Sequence, residues 1–193
     1  MNHFDWDHSF LTDFDLQTGF SKKAETTKRY LSQMKDMYYD VQAAEKILET
    51  EDPLVYEFYE LGCPERPGDL AFGTTILYPG QVGDEYYMTK GHFHTQLETA
   101  EVYYTLSGEG YMVMENPEGD AEERPLSPGQ AVYVPRRYAH RTVNTGSEPL
   151  VVFFTFAADA GHDYGTIETK GYHRMVVERE GKAAIVPNPK WKD

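Results

Sequence analysis

One cysteine, Cys63, is the only thiol in 193 residues. No intrachain disulfide can staple the fold, and a reducing cytoplasm is the expected location. Positive charge is scarce as well: 18 Lys and Arg stand against 32 Asp and Glu, for a formal charge of −14. Such a surface repels a polyphosphate backbone, so nucleic acid is not an expected partner. A small phosphorylated metabolite is not excluded. Surface charge is screened over about 8 Å at physiological salt, and local hydroxyls and N–H groups then decide binding. Long hydrophobic runs are missing too. The longest mostly apolar stretch, residues 150–158, is far short of the about 20 residues a membrane helix needs, and no membrane partner is expected. The opening MNHFDWDHSF carries Asp5 and Asp7 and lacks the basic-then-apolar pattern of a secretory leader. No internal repeat and no low-complexity tract interrupts the chain.

The length suits one domain that buries enough surface to need no staple. Residues 1–50 read as an N-terminal extension packed on a main body, and 51–193 as that body with a C-terminal tail from residue 187. One substantial helix is expected over 41–51: Asp40 is a suitable N-cap, Val41, Ala44, Ile47 and Leu48 share a face, and Pro53 stops the run. After Pro53 the pattern changes to short strands, expected at 54–61, 70–78, 86–94, 101–106, 110–114, 130–134, 140–144, 150–156 and 172–178. Turn signals separate them, among them Tyr78-Pro79-Gly80, Asn116-Pro117-Glu118-Gly119 and Ser127-Pro128-Gly129. Tyr, Phe, Val and Thr dominate these segments, as half-buried pleated positions favour. Many short strands at even spacing argue for an all-β sandwich or barrel, not a parallel α/β sheet.

The residues that carry chemistry cluster around Lys90-Gly91-His92-Phe93-His94. On a strand, His92 and His94 project to one side and Phe93 to the other. Glu101 begins a strand that can return beside them, and His140 follows Pro135 on another. Three imidazoles and one carboxylate suit Fe, Mn, Ni, Cu or Zn and leave open positions for a substrate. A lone His-x-His pair is weak evidence for this. Its flanking residues strengthen it: six residues separate Glu101 from Gly108, five separate Gly129 from Pro135, four separate Pro135 from His140, and three separate His140 from Asn144.

That arrangement, over residues 86–144, resembles the two motifs of the cupins. In common cupins the glutamate follows the second histidine more closely; here six residues intervene. The longer gap and its surroundings resemble the cupin-type glucose-6-phosphate isomerases, the archaeal type. The matching stretches include Asp52-Pro53-Leu54-Val55-Tyr56, Thr74-Thr75-Ile76-Leu77-Tyr78-Pro79-Gly80, Thr89-Lys90-Gly91-His92-Phe93-His94, Ala100-Glu101-Val102-Tyr103, Ala139-His140-Arg141-Thr142-Val143-Asn144 and Ala158-Asp159-Ala160-Gly161-His162-Asp163-Tyr164-Gly165. Together they run from about residue 50 to the C-terminal region.

The resemblance implies a double-stranded β-helix, or jelly-roll barrel, and a homodimer. It implies one divalent metal per subunit on His92, His94, Glu101 and His140, with Fe2+ first and Mn2+, Ni2+ or Zn2+ as alternatives. The implied reaction interconverts glucose 6-phosphate and fructose 6-phosphate, in glycolysis and gluconeogenesis. Glu101 would move the C2 proton, or the hydrogen would shift as hydride. Tyr103 and His162 would approach the sugar hydroxyls, and the loop 161–165 would close over them. Thr75, Thr89, the backbone of Gly91 and Tyr164 would take the phosphate, and Tyr56 would line the sugar pocket. Phe156 departs from the family by standing where a tyrosine is expected. Two other functions fit the same barrel: an iron-dependent oxygenase, and a non-catalytic sugar-phosphate binder. Fold alone separates none of these.

Overall fold

The computed structural model describes residues 4–191. Within them thirteen strands and two α-helices follow in the order β1 (Glu25–Tyr30), α1 (Val41–Leu48), β2 (Leu54–Glu60), β3 (Leu70–Leu77), β4 (Gln81–Val82), β5 (Glu85–Tyr86), β6 (Glu101–Ser107), β7 (Gly110–Glu115), β8 (Ala121–Leu126), β9 (Ala131–Val134), β10 (Ala139–Asn144), β11 (Leu150–Ala157), α2 (Gly165–Lys170), β12 (Arg174–Arg179) and β13 (Lys182–Pro187). One sheet has six strands in the order β1-β2-β3-β11-β6-β9. Opposite it lie β10-β7-β8 and β13-β12-β5-β4. The backbone leaving β5 runs beside β10, with Thr89 N donating to Thr142 O at 2.9 Å and Asn144 N to Tyr87 O at 3.0 Å. Those bonds join the two smaller sheets into one wall.

The walls close on a shared core. Val55, Leu77, Val132, Val134, Leu150 and Val152 from the six-stranded sheet meet Met88, Met112, Met114, Val143 and Val176 from the other in one cluster. The alternation that this demands is visible in β9, where Val132 and Val134 are buried while Ala131 and Tyr133 face out. The result is the all-β barrel expected from the sequence. Asn144 pins one end of it, its amide donating to Leu77 O at 2.8 Å and to Glu148 O at 2.9 Å.

The N-terminal region is more than a covering. β1 adds an edge strand to the six-stranded sheet, pairing Arg29 with Tyr56 and Thr27 with Phe58. Upstream, Trp6, Phe10 and Phe14 pack their rings against Phe72 and Phe153 on the outer face. The helix starts where its cap predicts, with the Asp40 carboxylate accepting from Ala43 N at 2.9 Å. It ends at Leu48, three residues earlier than expected, in turns closed by Thr50 N and Glu51 N on Ile47 O. The strand expected over 86–94 is a correction: only Glu85–Tyr86 is regular. Beyond it, single bridges pair Met88 with Val143, His92 with His140 and Phe93 with Asp163. The interruption lies at Gly91, whose φ of +72° breaks the extended run. β13 was not expected; it fills residues 182–187 and reaches only the first residue, Pro187, of what reads as a tail. Residues 192 and 193 of that tail lie outside the described residues.

Candidate active site

His92 and His94 come from the interrupted stretch, Glu101 from the first position of β6 and His140 from the second of β10. Gly91 is what lets the first pair in. A Cβ there would stand 2.4 Å from Tyr172 Oη and 2.8 Å from His140 O. With glycine the two backbones meet, and His140 N donates to His92 O at 3.2 Å. One ligand atom from each of His92, His94, Glu101 and His140 lies within 4.8 Å of every other. Phe93 turns the other way into the core.

The partners of these imidazoles assign their protons. Thr99 Oγ1 donates to Gln96 O at 2.7 Å, so it accepts from His94 Nδ1 at 2.8 Å. His140 Nδ1 faces the carbonyl of Tyr138 at 3.4 Å, which can only accept. Both Nε2 atoms are thereby left as bare lone pairs in the neutral rings. They nonetheless lie 3.2 Å (His94) and 2.8 Å (His140) from Glu101 Oε2. His92 Nε2 is buried without a hydrogen-bond partner among the described residues. Lone pairs and a carboxylate converging in a dry site repel one another unless a cation lies between them, so this donor set fits a divalent metal. Burial first, and then the neighbouring His140, keep His92 well below its ordinary pKa and therefore neutral. Burial works to raise Glu101. Cationic charge beside it, which the His140 and His94 rings would carry if protonated and a bound metal would supply when they are neutral, outweighs that burial and holds the carboxylate below its usual range.

The cluster opens into a cavity of about 200 Å³, a volume for a metabolite and not a polymer. Every residue singled out from the sequence except His94 lines it: Tyr56, Thr75, Thr89, Gly91, His92, Glu101, Tyr103, His140, His162 and Tyr164. The His162 ring lies 4.4 Å from that of His92 and stacks on Tyr164 at 5.8 Å. The loop bearing both is tied down, since Phe93 and Asp163 exchange backbone bonds of 3.1 and 2.8 Å. Tyr56 is pushed up to about 12 by burial and then by Tyr164, so it presents a hydroxyl at neutral pH. Tyr103 is likewise driven well up, by burial and then the Glu101 charge.

Sequence reasoning missed Phe58, Glu60, Thr142 and Phe154 as lining residues. Three carry a period-two signal: Phe58 and Glu60 follow Tyr56 by two and four positions, and Thr142 follows His140 by two. Thr142 N donates to Thr89 Oγ1 at 3.0 Å, which ties the two threonines together. Phe156 offers a bare ring 5.3 Å from His162 and 5.9 Å from His94. A larger cavity, of about 610 Å³, adjoins His94 and His162 but includes none of His92, Glu101 or His140.

Comparison with known proteins bears on this site directly. A glucose-6-phosphate isomerase from Thermococcus kodakarensis is 49% identical over 181 residues, covering 94% of this chain and 95% of its own. The one from Pyrococcus furiosus is 49% identical over 183 residues, 95% of this chain and 97% of its own. A bacterial one, from Sinorhizobium medicae, is 40% identical over 184 residues, 92% of this chain and 85% of its own. Among solved structures, a Bacillus subtilis oxalate decarboxylase variant aligns over 60% of this chain and 29% of its own, at 25% identity and a TM-score of 0.44, a likeness too partial to add to the assignment. The family model for glucose-6-phosphate isomerase matches residues 28–191. That span takes in both cavity walls and all four converging ligands, and the chain belongs to the glucose-6-phosphate isomerase family.

Proposed function

We propose that this chain interconverts glucose 6-phosphate and fructose 6-phosphate with the help of one divalent metal, Fe2+ first among the candidates. The observation that carries the reading is the convergence of His92, His94, Glu101 and His140 at the end of a metabolite-sized cavity. Bound there, the metal would supply Lewis acidity that polarises the oxygens on C1 and C2. The remaining work falls to the chain. Thr75, Thr89, Gly91 N–H and Tyr164 offer donors to the phosphate, whose binding orients the reacting carbons. Tyr103 and His162 are placed to hydrogen-bond the hydroxyls near C1 and C2, and His162 to pass a proton during ring opening. Glu101 takes the proton from C2 of the open-chain aldose, leaving an enediolate, and returns it to C1 while the proton on O2 passes to O1.

A carboxylate that also holds a cation is a weaker base, because the cation favours its charged form. Isomerisation in D2O therefore tests the proton step. Deuterium at C2 of glucose 6-phosphate formed from fructose 6-phosphate, or at C1 of fructose 6-phosphate in the reverse direction, is expected at early turnover. Its complete absence would favour a direct hydride shift between the carbons. The activity itself is tested by mixing pure protein with fructose 6-phosphate and following glucose 6-phosphate with and without chelator. Turnover without O2 consumption, lost on chelation and restored by Fe2+, is expected. O2 uptake would support an oxygenase, and binding without turnover a passive binder. We also propose a homodimer, supported by Leu70, Val102, Tyr104 and Tyr133, which leave apolar surface exposed on the outer face of the six-stranded sheet. Light scattering at twice the chain mass is the check. A cytoplasmic location is supported by the single, half-buried Cys63.

A further inference from the structure

Glu60 stands in the substrate cavity with no task. Only two carboxylates line that cavity among the described residues, Glu101 and Glu60. Glu101 is one of the four converging ligands; Glu60 is not. Glu60 is half-buried, and its carboxylate makes no hydrogen bond or ion pair with any described residue. A carboxylate withdrawn from water without partners is costly, and it is satisfied by hydroxyl donors that enter the cavity.

Strand register shows which donors it would meet. Glu101 pairs with Phe156, and Phe156 with Ala71. The next row on the same face holds Tyr103, Phe154, Gly73 and Glu60. The row after that holds Thr75 and Phe58. Successive rows on one face are about 6.6 Å apart. Glu60 therefore lies between the row of the candidate metal ligand and the row of the first threonine. The position between Glu60 and Phe154 is Gly73, which puts no side chain in the way. One further row along, β1 sets Arg29 beside Tyr56. Along β2 the cavity wall thus runs from the acidic Glu60 to Tyr56, beside which β1 sets the basic Arg29 just outside the lining.

We propose that Glu60 is a specificity-determining residue: its carboxylate accepts hydrogen bonds from the middle hydroxyls of an open-chain sugar phosphate and, by its charge, keeps the phosphate at the Arg29 end. The proposal rests on the sugar-phosphate reading of the cavity given above. A ligand lying with C1 and C2 at Glu101 and its phosphate among the threonines brings its central carbons past Glu60. A ligand in the reverse pose would set a dianion against two carboxylates.

The test is binding, kept separate from turnover. Glucitol 6-phosphate, a reduced hexose phosphate that cannot isomerise, and inorganic phosphate are titrated calorimetrically into metal-loaded wild type, Glu60→Ala and the isosteric Glu60→Gln. Glucitol 6-phosphate is expected to bind Glu60→Ala about 10- to 100-fold more weakly than wild type, and Glu60→Gln to lie between them. Inorganic phosphate is expected to bind the variants as well as, or better than, wild type. Equal affinity for glucitol 6-phosphate in wild type and variants would overturn the proposal. So would a parallel loss of both ligands, or failure of wild type to bind glucitol 6-phosphate. If Glu60→Ala loses its metal or its fold, Glu60→Gln decides. Failure of wild type to turn over fructose 6-phosphate would sink the isomerase reading, and the glucitol comparison would still judge Glu60.

Discussion

His140 serves two partners at once. Its Nδ1 is held by Tyr138 O, and its Nε2 lies 2.8 Å from Glu101. Removing it leaves the Glu101 carboxylate buried against two imidazoles with one fewer donor for a cation. Loss of an outer partner of a ligand alone costs about 10- to 100-fold in metal affinity. His140→Ala is therefore expected to lower affinity by at least about 100-fold and to abolish turnover. Metal analysis after dialysis and a far-ultraviolet spectrum of unchanged β content are the checks; full activity in a metal-free variant would refute the assignment. Thr89 lines the same cavity and is one of the donors proposed for the phosphate. Thr89→Val is expected to raise KM for fructose 6-phosphate about 10-fold while leaving metal content unchanged, and an unchanged KM would remove it from the phosphate site. The converging ligands were legible in the sequence because histidines at i and i+2, a glutamate and flanking glycines form a motif. Glu60 was not legible. A glutamate on a strand reads as solvent-facing until register brings it beside Tyr103 and Phe154.

Elements were legible to the extent that their own residues, and not their neighbours, decide them. The α1 start was, because Asp40 and the apolar face of Val41, Ala44, Ile47 and Leu48 act locally. Asp40→Ala is expected to cost about 1 kcal/mol of stability by orphaning Ala43 N, read as a lower urea midpoint with unchanged slope. β1 and β8 were not legible. The first reads ETTKRY and the second AEERPL, charged sequences with little strand preference of their own. Each forms because a partner strand supplies the ladder, and each lies at a sheet edge, where charge and Pro125 are tolerated. β13 was missed for a different reason. Its two-residue turn from β12 is Glu180-Gly181, with φ of 54° and 76°. Both values fit a left-handed hairpin turn, which Asn-Gly announces far more clearly than Glu-Gly.

At the scale of the whole molecule, Glu85 marks a seam. It is 4% exposed, and it accepts from Tyr39 N at 2.7 Å. Arg141 of β10 lies near enough to oppose its protonation, as does Lys190, which donates to Tyr38 O at 2.8 Å from the C-terminal end. Burial dominates, with Asp84 adding to it, and Glu85 is raised from 4.5 to about 7. Because the folded state holds this proton more tightly than the unfolded chain, its contribution is complete below about pH 4.5 and fades as pH climbs through about 7. The span amounts to about 3 kcal/mol. Glu85→Gln is expected to flatten the dependence of denaturation midpoint on pH across that window, and parallel profiles for the two proteins would refute it. The barrel has a further consequence for how it comes to be loaded. Glu101 is carried by the six-stranded sheet and His140 by the wall opposite, with His92 bridged to His140 and not to Glu101. Neither wall owns a full set of donors. A nascent or proteolysed fragment holding one wall would offer no full set of donors to a metal, so any loading waits until the two walls close.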